Sequence, residues 1–157
     1  MKPKRPKRPK FKRPQEPPVA FFRVHPQSKT LYFEVLVFRT WLEFHKHCVI
    51  KTFEERGVID REASSGQCFN GPIYDSKGLV TPCLGQIVFY LSKATPDIVS
   101  HEMNHGAIYW AQRVGINITN DSRETLINGE TQEETFVRAQ QEMVKQFFKK
   151  MDNLDLL

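Results

Sequence analysis

Residues 95–105, Thr95-Pro96-Asp97-Ile98-Val99-Ser100-His101-Glu102-Met103-Asn104-His105, decide how this chain is read. Thr95 suits a helix N-cap. Pro96 fits the first helical position, where its missing N–H is no loss, and Asp97 suits the positive helix end. Gly115 is the expected stop, so the residues predict a helix over 96–113. On such a helix His101 and His105 lie one turn apart on one face, and both imidazoles can reach one Zn²⁺. Glu102 sits a residue-angle round from them, where it can take a proton from a water held in the open coordination position. A shuffled chain of this composition would show H-E-x-x-H about one time in a hundred, so accident is a poor explanation. Ile98, Ile108 and Tyr109 flank the two histidines, which predicts that the pair faces the core. Gly106, lacking a side chain, lets another backbone approach.

Upstream, residues 19–24 and 31–38 (LYFEVLVF) are β-branched and aromatic, with turn residues Pro26-Gln27-Ser28-Lys29 between them, and predict a β-hairpin. Thr40 caps a helix expected from Trp41 to Arg56 and closed by Gly57. Trp41, Leu42, Phe44, Cys48, Val49 and Phe53 are its expected buried face. His45 and His47, two positions apart on it, point to different sides and do not read as joint ligands. Residues 60–78 read as loop with a short strand over 68–74, and 83–91 (CLGQIVFYL) as the next clear strand. Residues 131–151 predict a last helix with Phe136, Val137, Ala139, Met143, Val144, Phe147, Phe148 and Met151 inward. The fold class expected is α+β: a small mixed or antiparallel sheet packed against the motif helix and a C-terminal helix.

Length and composition bound the rest. A chain of 157 residues with 39% hydrophobic content and 12 Phe supports one compact domain, residues 19–157, with a core of its own. No apolar run is long enough to span a bilayer, and no apolar stretch follows the basic start, so neither a membrane segment nor a secretory signal is expected. Cys48, Cys68 and Cys83 are widely spaced and odd in number, and read as reduced thiols of a cytoplasmic protein. Residues 1–18 (MKPKRPKRPKFKRPQEPP) form a separate arm, too rich in Pro for helix or central strand and too poor in apolar residues for a core, and so expected to be disordered or extended. Residues 1–14 hold eight Lys or Arg and no acid; with a formal charge of +5 overall, the remainder carries −3. Lys4, Arg5, Lys7, Arg8 and Lys10 are the expected contacts to nucleic acid or an acidic surface, where counterion release favours binding; the plainer reading is a solvated tail.

A catalytic zinc needs a third protein ligand and keeps the fourth place for water. No His follows His105, which excludes H-E-x-x-H-x-x-G-x-x-H. Glu133 falls near the middle of the apolar face of the last helix and is the expected ligand. Glu134 has a structural role in the T-x-x-E capping box Thr131-Gln132-Glu133-Glu134; it and Glu130 are the alternatives.

A strand, then V-S-H-E-x-x-H, then E-E on a C-terminal helix resembles the gluzincin branch of the zincin metallopeptidases, and more narrowly small zincin-like proteins of phages and mobile elements. The resemblance covers residues 83–148. It implies zinc-dependent peptide hydrolysis with Glu102 as general base, in a host-cell cytoplasm if the chain is phage-encoded. It also implies that residues 85–91 are a sheet edge pairing with extended substrate, with Gly85, Gln86 and Val88 in contact. The N-E-x-x-S-D sequence of the best-known gluzincins is absent, and the transition-state stabiliser is left to Tyr109, Tyr74, Tyr90 or an arginine. The alternative function is a zincin-shaped binding or structural protein whose basic arm contacts nucleic acid or an acidic partner.

Overall fold

A computed structural model describes residues 4, 6–57, 64–116, 118 and 131–157. Five-residue β1 (Ala20–Val24) and seven-residue β2 (Tyr32–Phe38) form the expected antiparallel hairpin, with Phe22 opposite Val35. Helix α1 (Trp41–Arg56) follows, then β3 (Gly66–Asn70), β4 (Cys83–Tyr90), a short 3₁₀ turn (Leu91–Lys93), α2 (Pro96–Val114) and α3 (Gln132–Asn153). The sheet order is β1-β2-β4-β3. The β2–β4 pair is parallel and the outer pairs are antiparallel. The fold is α+β, and no described helix is long and apolar enough to cross a membrane.

Alternation along the strands divides the interior in two. Val35, Val37, Ile87 and Phe89 meet Met103 and Ala107 of α2 and Met143 and Phe147 of α3. The Phe89 and Phe147 rings cross edge to face at 5.1 Å. On the opposite side Leu36, Phe38, Phe69 and Val88 pack against Phe44 of α1, with Cys48 and Tyr90 half-buried beside them. The motif helix and α1 therefore sit on opposite faces of one sheet.

Two expectations about the sheet are corrected. The strand expected over 68–74 is β3, four residues earlier at its end; Tyr74 instead makes an isolated bridge to Val80. And β4 is not an edge: β2 pairs with it on one side and β3 on the other, so Gly85, Gln86 and Val88 have neighbours on both flanks. Gln86 gives its carboxamide N–H to Glu34 and lies 3.1 Å from His47 Nε2, inside the α1 layer. Gly85 answers to a steric need: at φ +144°, a Cβ there would collide with the Phe69 carbonyl oxygen.

The buried face of α1 also differs from expectation. Trp41 and Leu42 are exposed, whereas Glu43 and Lys46 are buried. The cause is the N-terminal arm, which has neither helix nor strand in its described part yet lies along α1 rather than standing off as a tail. Glu16 donates its backbone N–H to Glu43 Oε2 at 2.8 Å, and Lys46 Nζ donates to Glu43 Oε1 at 2.8 Å. Arg5 lies outside the described residues.

Candidate functional site

Helix α2 forms where its terminal signals place it. Thr95 is extended with Pro96 after it, and Gly115 ends the helix at φ 78°. The Thr95 hydroxyl binds the Asp97 carboxylate instead of a helix N–H. Val99, Met103, Ala107 and Trp110 make the core stripe of this helix. His101 and His105 lie on the far side and are exposed, contrary to the expectation of a core-facing pair. Ile98, Ile108 and Tyr109, the residues behind that expectation, are only half-buried.

The geometry within the motif fits its chemistry. His101 Nε2 and His105 Nε2 stand 3.2 Å apart, with ring planes at 86°. Two imidazole nitrogens in one tetrahedral zinc shell stand about 3.3 Å apart, given bonds of about 2.0–2.1 Å. With both Nε2 atoms turned together, the two side chains stand at hydrogen-bond distance, a spacing compatible with a shared divalent cation. Glu102 sits differently. It is buried, and desolvation pushes its carboxyl above the usual carboxylate range, partly offset by the neighbouring His101. Such a carboxyl is held closer to neutral pH, where proton transfer in both directions is effective.

The environment of Glu102 comes from the start of β3, two residues before the strand expected over 68–74. Gly66 opens that strand opposite Phe89, and a Cβ on it would stand 2.8 Å from Glu102 Cγ. Bare backbone at position 66 makes room for the carboxylate stem. Farther along the helix, a Cβ at Gly106 would stand 3.3 Å from Ile87 Cδ1 and 3.4 Å from the Phe33 ring. Gly106 therefore admits side chains of the sheet, rather than the backbone anticipated, and draws α2 close. Cys68, two residues on from Gly66, donates its thiol to Asn70 Oδ1 at 3.0 Å. Burial and the Glu102 charge both raise its pKa. Gly66 and Gln67 carry no strand signal of their own, which is why the expected strand starts two residues late and leaves Gly66 in the loop.

Among the described residues no carboxylate stands with the histidine pair. Among the described residues no group of three or more His, Cys, Asp or Glu gathers where it could hold a metal ion. Glu133 is exposed on the first turn of α3 and lines a shallow 260 Å³ cavity with Glu134, Val137, Arg138 and Gln141. The inward positions at that end of α3 are polar, Gln132 and Thr135, in line with Ala139, Met143 and Phe147. Counting only apolar residues, Val137 among them, turned the expected core face toward Glu133. Glu134 performs its capping role: its carboxylate accepts from Thr131 N–H at 3.0 Å, and its own N–H donates to Thr131 Oγ1 at 3.1 Å. Glu130, the remaining alternative, lies outside the described residues.

Of the tyrosines considered as stabilisers, Tyr90 packs against Phe44 at 5.2 Å in the α1 layer, across the sheet from the motif, and Tyr74 is exposed at its bridge. Tyr109 is half-buried on the motif helix, seven residues after Glu102 and so on the same side of it. The arm cations Lys4, Lys7, Arg8 and Lys10 are exposed on the α1 side. Protein-family models, curated proteins and solved structures give no match to this chain.

Proposed function

We propose that the chain is a zinc-dependent peptidase on a zincin-like scaffold, with His101 and His105 as metal ligands and Glu102 as general base. The observation that carries this reading is the 3.2 Å approach of the two Nε2 atoms beside a buried Glu102. A zinc ion held there would polarise a carbonyl and lower the pKa of a bound water towards about 7. The chain's own residues supply the rest. Glu102, partly desolvated beside Gly66, accepts a proton from the attacking water and returns it to the leaving amine. The substrate-strand role moves from β4 to β3, the edge strand next to the motif helix, whose outer side has no strand partner among the described residues. An extended peptide adding there would run past Glu102. Tyr109 is the stabiliser that best fits this side of α2.

The test is metal content together with hydrolysis of an unfolded protein substrate. The wild-type chain is expected to hold one zinc. Glu102→Gln should keep it while losing about 10²–10⁴-fold in rate, and His105→Ala should lose both metal and activity. A wild-type protein without stoichiometric zinc after supplementation, or a Glu102→Gln variant as active as wild type, overturns the proposal.

A further inference from the structure

The arm's contacts come in an order. Glu16 and Gln15 hold Glu43 at the start of α1, the Phe11 ring lies 5.9 Å from Lys46 Nζ, and Arg8 pairs with Glu54 near the helix end at 2.9 Å. The arm thus runs antiparallel to α1 across its length. Its foot is the strongest point. Glu43 and Lys46 side chains are 9% and 6% exposed, and hydrogen bonding to Lys46 holds the Glu43 carboxyl below the usual range. A charged hydrogen-bonded pair under the arm, gripping backbone N–H as well, favours a seated segment over a loose one.

This seating leaves every described arm cation but Arg8 without an acid. Lys4, Lys7, Arg8, Lys10, Lys12 and Arg13 are all exposed. The nearby carboxylates on α1 are engaged: Glu43 by Lys46 and Glu16, Glu54 by Arg8, Glu55 by Lys51 at 3.6 Å. Among the described residues, only Arg8 of the six has a carboxylate within 4 Å. Five cations in a row, repelling one another on a fixed track, are a cost that a polyanion relieves. Phe11, a 37% exposed residue, stands between Lys10 and Lys12 and adds a stacking surface inside the row. Cations interleaved with an aromatic ring suit single-stranded nucleic acid, whose bases offer open π-faces. A membrane surface would call for a broader apolar side than one ring among prolines.

We infer that residues 6–13, seated on α1 by Glu43 and preceded by exposed Lys4, form a preorganised ridge that binds single-stranded nucleic acid. The ridge lies across the sheet from His101 and His105, so a bound strand leaves the motif face open. The inference does not depend on the peptidase reading.

The test is fluorescence anisotropy of a labelled oligothymidylate against the full chain over a salt series. With five phosphates neutralised, log K should fall with log salt at a slope of about −3.5. Replacing Lys7, Lys10 and Lys12 with Ser should flatten the slope to about −1.4. Phe11→Ala, at an exposed site that does not endanger folding, should weaken binding about five-fold or more with the slope unchanged. Glu43→Gln keeps every arm cation but loosens the seat, and several-fold weaker binding at equal slope is expected, once its circular dichroism matches wild type. No binding at about 50 mM salt, or a triple-Ser variant that binds like wild type, refutes the ridge. Phe11→Ala without effect, or equal binding of a matching duplex, refutes single-strand selection. Capture by phosphatidylserine vesicles without oligonucleotide binding assigns the row to a membrane and overturns the inference. If Glu43→Gln binds as tightly as wild type, the arm acts as a free tail and preorganisation is refuted.

Discussion

Gly66→Ala places one methyl group between the edge strand and the candidate base. The new Cβ would stand 2.8 Å from Glu102 Cγ and 3.2 Å from two atoms of the Phe89 ring. Backbone strain is not at issue, since Gly66 does not have a positive φ. The Phe89 ring is fully buried against Phe147 and cannot yield freely, so the Glu102 stem must move. Overpacking of this kind costs about 1–3 kcal/mol. For a chain of this size that is a fall in Tm of roughly 2–12 °C, at about 2–4 °C per kcal/mol. A double-mutant cycle isolates the contact. With Glu102→Ala the 2.8 Å clash disappears and only the Phe89 contact is left, so the Gly66→Ala penalty should shrink by at least about 0.5 kcal/mol. Thermal unfolding of the four proteins measures this without any appeal to activity. In a hydrolysis assay the same substitution should lower kcat while zinc content stays at wild type, because Glu102 is displaced and the imidazoles are not. Additive stability effects would refute the packing argument. An unchanged kcat in an active enzyme would refute the positioning of Glu102 by β3.

Other outcomes follow from the same coordinates. Lys46→Ala leaves Glu43 with the Glu16 N–H but no counter-charge and should destabilise by about 1–3 kcal/mol in urea unfolding, while Glu43→Leu with Lys46→Met should come close to wild type. Because the folded pKa of Glu43 is depressed, its contribution is fully present above the unfolded carboxylate value near 4.3 and fades as pH falls through the folded value. The stability gap between wild type and Glu43→Gln should therefore narrow as pH drops from about 6 to 3. Burial and the Glu102 charge push the Cys48 thiol up to about 12, and Cys68 and Cys83 are raised too. At pH 8, on the order of one Cys48 in 10⁴ is thiolate, so a disulfide reagent should label the native chain slowly and the unfolded chain at once. Gly85→Ala, which drives a Cβ into the Phe69 carbonyl, should lower Tm more than Gly66→Ala does.

The helices were legible because their ends are written in local chemistry. Thr40 Oγ1 accepts from Glu43 N–H, Gly57 and Gly115 take left-handed conformations, and Thr131 with Glu134 completes a capping box. The H-E-x-x-H spacing likewise needs only one helical turn to bring its nitrogens together. What failed depended on distant neighbours. Glu43 and Lys46 are buried by an arm 27 residues upstream of its anchor. No pattern within 83–90 shows that β2 and β3 would flank β4 on both sides. The outward turn of the histidines and the displacement of Glu133 share one cause: half-buried apolar residues were counted as core, and buried Gln132 and Thr135 were not.

The sheet joins two antiparallel pairs, β1 with β2 and β3 with β4, along a single parallel seam. Each pair closes between neighbours in the chain, whereas the seam must bring together strands separated by all of α1. The distant closure costs more loop entropy than either local one. Gly66, Phe89, His101, Glu102 and His105 all belong to the second pair and the helix that follows it. The residues of the motif therefore lie within one continuous stretch of polypeptide, while the first hairpin supplies Phe33, Val35 and Val37 to the core beneath the motif helix.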